Sequence, residues 1–200
     1  MTAELVRLDY KLIADVIEPG SKVLDLGCGD GELLQYLSKE KNAKVQGIEI
    51  DESAIYKCVE KGLSVLHSDI ESGLSDYPDN TFDYLILNQS LQQVKSVDYL
   101  IEEAFRVGKK VIVGFPNFAN WRARLMLFFN GRVPVTESLP HKWHNTPNLR
   151  FLGIMDFVDF CRDNNYKILK SYYLSEGGMV RFFPNLFAKD AIFVITRGKV

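Results

Sequence analysis

Residues 22–31 read KVLDLGCGDG, a short apolar run followed by three alternating glycines. The apolar part predicts a β-strand over Lys22 to Leu26, and residues 32–39 continue with the apolar spacing of an amphipathic helix. Glycine has no Cβ, so alternating glycines let the backbone turn sharply and come close to a ligand. Ligands of open α/β sheets bind beyond the carboxyl ends of the strands. We therefore expect a ligand site at this strand-to-helix turn.

Working outward from that turn, predicted strands alternate with predicted helices along most of the chain. The further predicted strands cover 44–50, 63–66, 82–87, 110–115, 167–173 and 191–197, and the further predicted helices cover 5–16, 53–61, 97–107 and 154–163. This alternation indicates a parallel sheet covered on both faces, and two consecutive closing strands indicate an antiparallel pair at one edge. We predict one α/β domain over residues 1–200, a three-layer Rossmann-like fold with a mostly parallel seven-stranded sheet and an antiparallel edge strand.

The composition places limits on compartment and partners. The formal net charge is −2, so no global field directs the chain toward nucleic acid or a membrane. The three cysteines, Cys28, Cys58 and Cys161, lie far apart and form no CxxC pair, which argues against a disulfide framework or a zinc knuckle. No secretory signal and no apolar run long enough for a membrane span is present. We expect a cytoplasmic protein with reduced thiols.

The acidic residues of the turn indicate the charge of its ligand. The dinucleotide-binding pattern GxGxxG, begun at Gly27, requires a glycine at position 32, where this chain has Glu32. A pyrophosphate would also meet the carboxylates of Asp30 and Glu32, which repel it at a helix start. Asp25 adds a further acidic group before the glycines. A cationic cofactor such as S-adenosylmethionine, which carries a sulfonium and an ammonium, suits this turn better.

Polar residues after the next three strands extend the predicted cofactor site. Glu49 closes the second strand, where a carboxylate can accept both ribose hydroxyls of an adenosine. Asp69 follows the third strand and can accept from the adenine amino group, with Ile70 against the ring. Asn88 and Gln89 close the fourth strand and are expected to face the methionine end. The alternatives are a solvated strand end for Glu49 and turn caps for Asp25 and Asp69.

We therefore predict binding of S-adenosylmethionine or S-adenosylhomocysteine by a set of residues at the carboxyl ends of the first four strands. The predicted cofactor-binding residues are Asp25, Gly27, Cys28, Gly29, Gly31, Glu49, Ile50, Asp69, Ile70, Asn88 and Gln89.

No catalytic residue follows from the sequence. No Ser-His-Asp or Cys-His grouping is recognisable. His141 and His144 have a spacing that binds metal on a helix, but Pro140 and Pro147 disfavour a helix there and no carboxylate or cysteine lies close by. We predict no metal site, and whether the chain is an enzyme stays open.

Residues 117–150 interrupt the strand-helix alternation and carry a different composition. Five basic residues stand against one acidic residue, a balance of +4, and five phenylalanines and tryptophans are interleaved with them. Arginine and tryptophan are enriched at protein interfaces, and aromatic side chains also stack on single-stranded nucleic acid. We expect an inserted segment that serves as a lid packed on its own domain, as a protein interface or substrate cap, or as a nucleic-acid contact.

The glycine-rich turn, Glu49 and the acidic residue after the third strand together resemble the class I S-adenosylmethionine-dependent methyltransferase superfamily. A narrower resemblance is to the MetW family of methionine biosynthesis proteins, and it spans about residues 9 to 197. It is carried by the runs FPNFANWR at 115–122, GRVPVT at 131–136, LPHKW at 139–143, NTPN at 145–148 and LNQSLQ at 87–92. The part after Tyr173 matches least distinctively.

This resemblance implies a link to methionine synthesis through homoserine O-acyltransferase, whose activity the family is associated with supporting. It establishes no methyl acceptor. Amino-group methyltransferases of the superfamily often carry an Asn/Asp-Pro-Pro-aromatic turn after the fourth strand, and Asn88 to Leu91 lacks both prolines. Three hypotheses follow: an accessory or regulatory subunit of the acyltransferase, an active methyltransferase on an unidentified small molecule, and a nucleic-acid methyltransferase.

Overall fold

The computed structural model describes residues 7–198, which divide into two compact units. The first unit covers residues 7–88 and 96–112, and the second covers 89–95 and 113–198. The predicted opening helix included Leu5, which lies outside the described residues.

The first unit is built from alternating helices and parallel strands. Its elements are α1 (Leu8–Val16), β1 (Lys22–Leu26), α2 (Glu32–Lys41), β2 (Lys44–Glu49), α3 (Glu52–Glu60), β3 (Ser64–His67), β4 (Phe82–Asn88), α4 (Val97–Val107) and the beginning of β5 (Gly108–Pro116). The strand order is β3-β2-β1-β4-β5. The pairs β1–β2, β2–β3 and β1–β4 are parallel, with Leu24 opposite Gln46 and Leu85. The carboxyl ends of these strands therefore lie along one edge of the sheet.

Local sequence explains where the helices of this unit begin and end. Helix α2 starts after Gly31 and ends at Asn42, and both residues adopt the left-handed conformation that glycine and asparagine tolerate best. Leu33, Leu34 and Leu37 form its buried face. Helix α3 begins at an Asp51 cap, whose carboxylate accepts a 2.8 Å hydrogen bond from the Ala54 amide.

The second unit contains the end of β5, the remaining elements and a short 3-10 helix at Leu91–Gln93. Its other elements are α5 (Trp121–Asn130), α6 (Ile154–Asp163), β6 (Tyr166–Ser175), β7 (Gly178–Met179), α7 (Pro184–Phe187) and β8 (Asp190–Arg197). The strand order is β5-β8-β6-β7, and β6 is antiparallel to both β7 and β8. Its core stacks Phe115, Phe157 and Phe193, with ring centroids 4.9–5.9 Å apart.

The predicted α/β fold with a mostly parallel sheet and an antiparallel edge is confirmed, and the sheet contains eight strands rather than seven. The additional strand, β7, pairs only two residues with β6 after the turn at Gly177. A two-residue strand is too short to produce an alternating pattern in sequence. Helix α5 was also not predicted, because apolar side chains lie all around it and leave no amphipathic stripe.

Candidate functional site

The glycine-rich turn adopts a conformation that requires its glycines. Gly27, Gly29 and Gly31 have φ values of +79°, +55° and +78°, in the left-handed region that side chains with a Cβ rarely adopt. The amides of Gly27 and Cys28 both donate to the Ile48 carbonyl, at 2.8 and 3.2 Å. The turn is therefore fixed onto the end of β2.

Helix α3 and the residues after it hold the other side of the turn. The Cys58 thiol donates to the Gly29 carbonyl at 3.2 Å, and the Lys61 ammonium donates to the Asp30 carbonyl at 2.8 Å. A Cβ on Gly31 would lie only 2.5 Å from a Leu63 methyl group. Gly31 thus provides close helix packing, while a Cβ on Gly29 would meet nothing within 4 Å. Gly29 is the glycine beside which there is room for a ligand.

Cys28 faces the protein interior rather than that open space. Its side chain is buried beside Leu34 and Cys58. Burial raises the pKa of the Cys28 thiol, with a smaller contribution from the nearby Asp25 carboxylate. The thiol is therefore kept neutral, and a contact between Cys28 and a cofactor would use its backbone.

The Glu49 carboxylate connects the end of β2 to the glycine-rich turn. Its Oε2 accepts from the Gly29 amide at 2.8 Å, and its Oε1 accepts from the amides of Ile50 and Asp51 at 2.8 and 3.0 Å. A carboxylate offers about four lone-pair sites, so these bonds leave one site, on Oε2. In this arrangement Glu49 can accept from one ribose hydroxyl, where the sequence suggested two.

Asp25 is the second carboxylate of the site and lies deep in the first unit. It is 3% exposed, and Glu49 is 9% exposed. Burial and, to a smaller extent, the negative charge of Glu49 together raise the pKa of Asp25 to about 7. Within residues 7–198, no lysine, arginine or histidine forms an ion pair with either carboxylate. Asp25 and Glu49 therefore form a buried acidic pair with no basic side chain of the described residues bonded to either carboxylate, whereas Lys61 and Arg7 pair with Asp30 and Asp9 nearby.

Helix α1 contributes residues that the sequence analysis did not assign to the site. The Asn88 amide nitrogen donates to Asp9 at 3.0 Å, and the Arg7 guanidinium binds the same carboxylate at 2.8 and 3.1 Å. The Asn88 Oδ1 atom is buried and finds no hydrogen-bond donor in the part of the chain that the structure describes. Burial raises the pKa of Tyr10 to about 12, and the charges of Asp9, Glu32 and Asp25 also act on it. Tyr10 therefore lies close to the acidic site.

The residues predicted to surround the adenine differ in their solvent exposure and in their hydrogen bonds. Ile50 is largely exposed at the end of β2, although it is apolar, so it offers a surface for a ring. The Asp69 Oδ1 atom accepts from the Glu71 amide at 2.8 Å, a contact that fits the turn-cap alternative. Ile70 is half-buried beside it. Asp69 retains its second oxygen for a ligand.

Gln89 belongs to the second unit, and its side chain has a partner there. Its amide nitrogen donates to Asp190 at 3.3 Å, and its backbone carbonyl accepts from Gln92 at 2.8 Å. Its φ is +65°, a strained value for a residue with a side chain. The Gln89 side chain, which the sequence analysis expected to face the methionine end of the cofactor, thus has a hydrogen-bond partner within the second unit.

Gly47 also supports the site, by leaving room for the Cys28 side chain, and the sequence analysis did not single it out. A Cβ at this position of β2 would lie 2.4 Å from the Cys28 sulfur and 3.0 Å from a Leu34 methyl group. The absence of a side chain at Gly47 is what allows Cys28 to pack under the glycine-rich turn. A glycine inside a predicted strand was the available signal, because such a glycine often marks a close approach.

Comparison with known proteins first defines a class. The fold resembles that of an S-adenosylmethionine-dependent methyltransferase from Archaeoglobus fulgidus, with a TM-score of 0.68, 15% identity and 94% of each chain covered. It also resembles the [4+2]-cyclase SpnF, with a TM-score of 0.65, 17% identity and 96% of this chain and 81% of the other covered. The protein therefore has the class I methyltransferase fold.

Sequence comparison then narrows the class to a family. The model of the family described as methionine biosynthesis protein MetW matches residues 7–195, so the chain belongs to the MetW family. A bifunctional methionine biosynthesis protein MetXA/MetW from Rhodopirellula baltica is 33% identical over 205 residues, which cover 96% of this chain. The chain spans 33% of the length of that relative.

None of the helices in residues 7–198 combines the length and apolar character needed to cross a membrane. The same residues contain no group of three or more histidine, cysteine, aspartate or glutamate side chains arranged to hold a metal ion.

Proposed function

We propose that this protein binds S-adenosylmethionine and acts as an accessory subunit of a homoserine O-acyltransferase. The single observation that carries the cofactor assignment is the pair of buried carboxylates, Asp25 and Glu49, without a cation from the described chain. Burying a charge without a partner is unfavourable, and a bound cation offsets that cost. The sulfonium and ammonium of S-adenosylmethionine supply positive charge to a site of this kind.

Three further features fit the same cofactor. The buried Asn88 Oδ1 lacks a hydrogen-bond donor, which an ammonium group provides. The free lone pair of Glu49 suits a ribose hydroxyl, and the exposed face of Ile50 suits an adenine ring. Bound S-adenosylmethionine supplies an activated methyl group. The residues of this chain orient the nucleoside and compensate its charge.

The accessory role rests on a relative and on the absence of an assigned reacting group. The name of the Rhodopirellula relative joins MetXA and MetW in one chain, which supports association of this protein with a separate acyltransferase. After β4, the side chains of Asn88 and Gln89 are bonded to Asp9 and Asp190. No nucleophile or base is assigned there.

We retain the proposal that residues 117–150 form an inserted interface segment within a single methyltransferase-like domain that functions in the cytoplasm.

The second candidate is an active methyltransferase on an unidentified small molecule. The buried acidic pair of Asp25 and Glu49 beside the glycine-rich turn favours it, because a bound S-adenosylmethionine there would bring an activated methyl group. SpnF illustrates that this fold also occurs in a protein described as a cyclase, so the fold alone does not define the reaction.

Cofactor binding is tested by thermal unfolding with S-adenosylmethionine, S-adenosylhomocysteine, NAD and ATP in parallel. We expect only the two sulfur nucleosides to raise the melting temperature, because a ligand that binds only the folded state stabilises it. Glu49→Ala should weaken cofactor binding roughly 10- to 150-fold, whereas Glu60→Ala, at an exposed carboxylate of α3, should leave it unchanged. Equal stabilisation by NAD or ATP would exclude the assignment.

The accessory role is tested by adding the protein to the purified homoserine O-acyltransferase of the same genome. We expect a complex that elutes earlier than either protein and a changed rate of acyl transfer. If elution and rate are unchanged while an acceptor screen shows turnover of S-adenosylmethionine, the methyltransferase candidate replaces the accessory one.

A further inference from the structure

Four phenylalanines of the second unit lie largely in solvent. Phe128 and Phe129 end helix α5 and are 81% and 73% exposed, and Phe182 and Phe183 precede α7 and are 79% and 75% exposed. We call these four side chains the aromatic surface. Single exposed apolar residues are common, but two adjacent aromatic pairs are not explained by folding of the monomer.

Helix α5 is only partly covered by the rest of the second unit. Of its ten residues only Ala123 is buried, although Trp121, Leu125 and Leu127 are apolar as well. A helix that is apolar on all sides is normally buried in a core. The sequence of α5 is therefore typical of a helix that is covered on more than one side. The described unit covers only the side of the helix that carries Ala123.

The second pair of phenylalanines is held in a strained position. Phe183 has a φ of +45°, which is rare for a bulky side chain, and the following Pro184 favours an extended conformation instead. The turn is fixed from the start of α5, where the amide nitrogens of Asn117 and Asn120 donate to the Ala188 carbonyl at 2.9 Å. Folding of the unit alone gives no reason to hold an exposed ring in this strained turn.

The two phenylalanine pairs together expose an area that approaches one side of a protein interface. A phenylalanine buries roughly 150–250 Å² when covered, so four at about three-quarters exposure leave on the order of 500–700 Å² to be covered. A stable interface uses about 800 Å² per partner. Arg132, two residues after α5, and Arg181, directly before Phe182, are exposed and positively charged. A partner with apolar pockets and acidic side chains near them would complement these residues.

We propose that the aromatic surface is the docking face for the homoserine O-acyltransferase, an inference that rests on the accessory role proposed above. The relative that joins MetXA and MetW in one chain supplies the identity of the occupant, since it keeps the two proteins together covalently. In this proposal the exposed phenylalanines are the anchors that enter the partner's pockets, and Arg132 and Arg181, their neighbours in sequence, favour an acidic partner.

The test measures the affinity of the full-length protein for the purified acyltransferase by titration calorimetry. The variants are Phe128→Gln with Phe129→Gln, which keeps a good helix former at both positions, and Phe183→Gly, which also relieves the strained φ. The control is Tyr56→Gln with Val59→Gln on α3, where the side chains are 69% and 61% exposed in the first unit.

We expect the double variant on α5 to bind at least about 30-fold more weakly and Phe183→Gly at least about 10-fold more weakly. The control should bind within about twofold of wild type. Phe183→Gly should unfold at the same or a higher temperature than wild type, so that weaker binding cannot reflect unfolding.

The outcomes separate the two proposals. If the wild-type protein does not bind the acyltransferase, the accessory role is wrong. If wild type binds and all variants bind equally well, the accessory role stands and the docking face is wrong. If the α5 variant converts a self-associated protein to monomer without changing its affinity for the acyltransferase, the surface binds a second copy, and the proposed occupant is wrong.

Discussion

Replacing Glu49 by glutamine should destabilise the protein even when no ligand is present. The carboxylate accepts three backbone hydrogen bonds, one from Gly29 on Oε2 and two from Ile50 and Asp51 on Oε1. Glutamine has the same shape, but one of its two terminal atoms is a donor. If the glutamine oxygen accepts from the amides of Ile50 and Asp51, the glutamine NH2 group faces the Gly29 N–H and that hydrogen bond is lost. In the opposite orientation the NH2 group faces the N–H groups of both Ile50 and Asp51.

The magnitude follows from the bond that is lost. The Gly29 amide and Oε2 are 2.8 Å apart, and hydrogen bonds to charged groups contribute roughly 1.5–3 kcal/mol. Glu49 is buried, so water compensates little of this loss. At about pH 5, where Asp25 with its pKa of about 7 is protonated and does not repel Glu49, the free energy of unfolding of Glu49→Gln should therefore fall by about 1.5–3 kcal/mol. For a chain of this size that corresponds to a lowering of the melting temperature by roughly 3–10 °C.

Urea unfolding of the ligand-free protein, followed by circular dichroism, measures this change. The matched control is Glu60→Gln, which removes the same charge from an exposed position at the end of α3 and should change stability by no more than about 0.5 kcal/mol. If Glu49→Gln and the control have the same midpoint and slope, Glu49 does not hold the glycine-rich turn. Its role would then be restricted to the ligand.

Three further predictions address other parts of the structure. The pKa of Asp25 is raised to about 7 in the folded protein, from an ordinary value of 3.8. Between these two pH values the folded state holds a proton that the unfolded state has lost. The stability that Asp25 contributes is therefore lost as the pH rises from about 4 through 7. Asp25→Asn should therefore gain stability relative to wild type across that window in unfolding experiments, and a constant difference would contradict the shift. Gly47→Ala should displace Cys28 and cost about 1–3 kcal/mol together with weaker cofactor binding in calorimetry, whereas Gly177→Ala, where a Cβ meets nothing within 4 Å, should be neutral. Arg106 donates to the Tyr77 and Leu74 carbonyls at 2.8 and 3.0 Å, so Arg106→Lys should cost about 1–3 kcal/mol in urea unfolding, and an effect no larger than that of Arg162→Lys on the surface of α6 would contradict its structural role.

The sequence predicted those parts of the fold whose burial is periodic. Strand β1 begins and ends where the apolar run does, and α4 and α6 have the predicted bounds because each buries one regular face. Helix α5 was not predicted because its apolar residues lie on all sides of the helix, and β7 was not predicted because two residues are too few to show an alternating pattern. Periodicity therefore could not predict α5 and β7, because neither has a periodic pattern of apolar residues.

The glycine-rich turn was predictable from the sequence, but the contacts around it were not. Glycine spacing located the turn, since only a backbone at positive φ needs three glycines at such a spacing. The hydrogen bond from the Gly29 amide to Glu49, and the one from Asn88 to Asp9, join segments that are distant in sequence. Composition does not reveal such long-range pairs, because they depend on which atoms the fold brings within 3 Å.

The accessory and methyltransferase hypotheses differ in a quantity that does not require knowledge of an acceptor. If the cofactor changes the affinity for the acyltransferase by some factor, the acyltransferase must change the affinity for the cofactor by the same factor, since binding free energies are linked. A methyltransferase that acts on its own small molecule carries no such coupling. Titration of S-adenosylmethionine into this protein, with and without saturating acyltransferase, therefore decides between them. Coupling to the acidic site predicts that Asp25→Asn reduces the factor. Equal affinities in the two titrations would mean that cofactor binding and partner binding are separate properties of the chain.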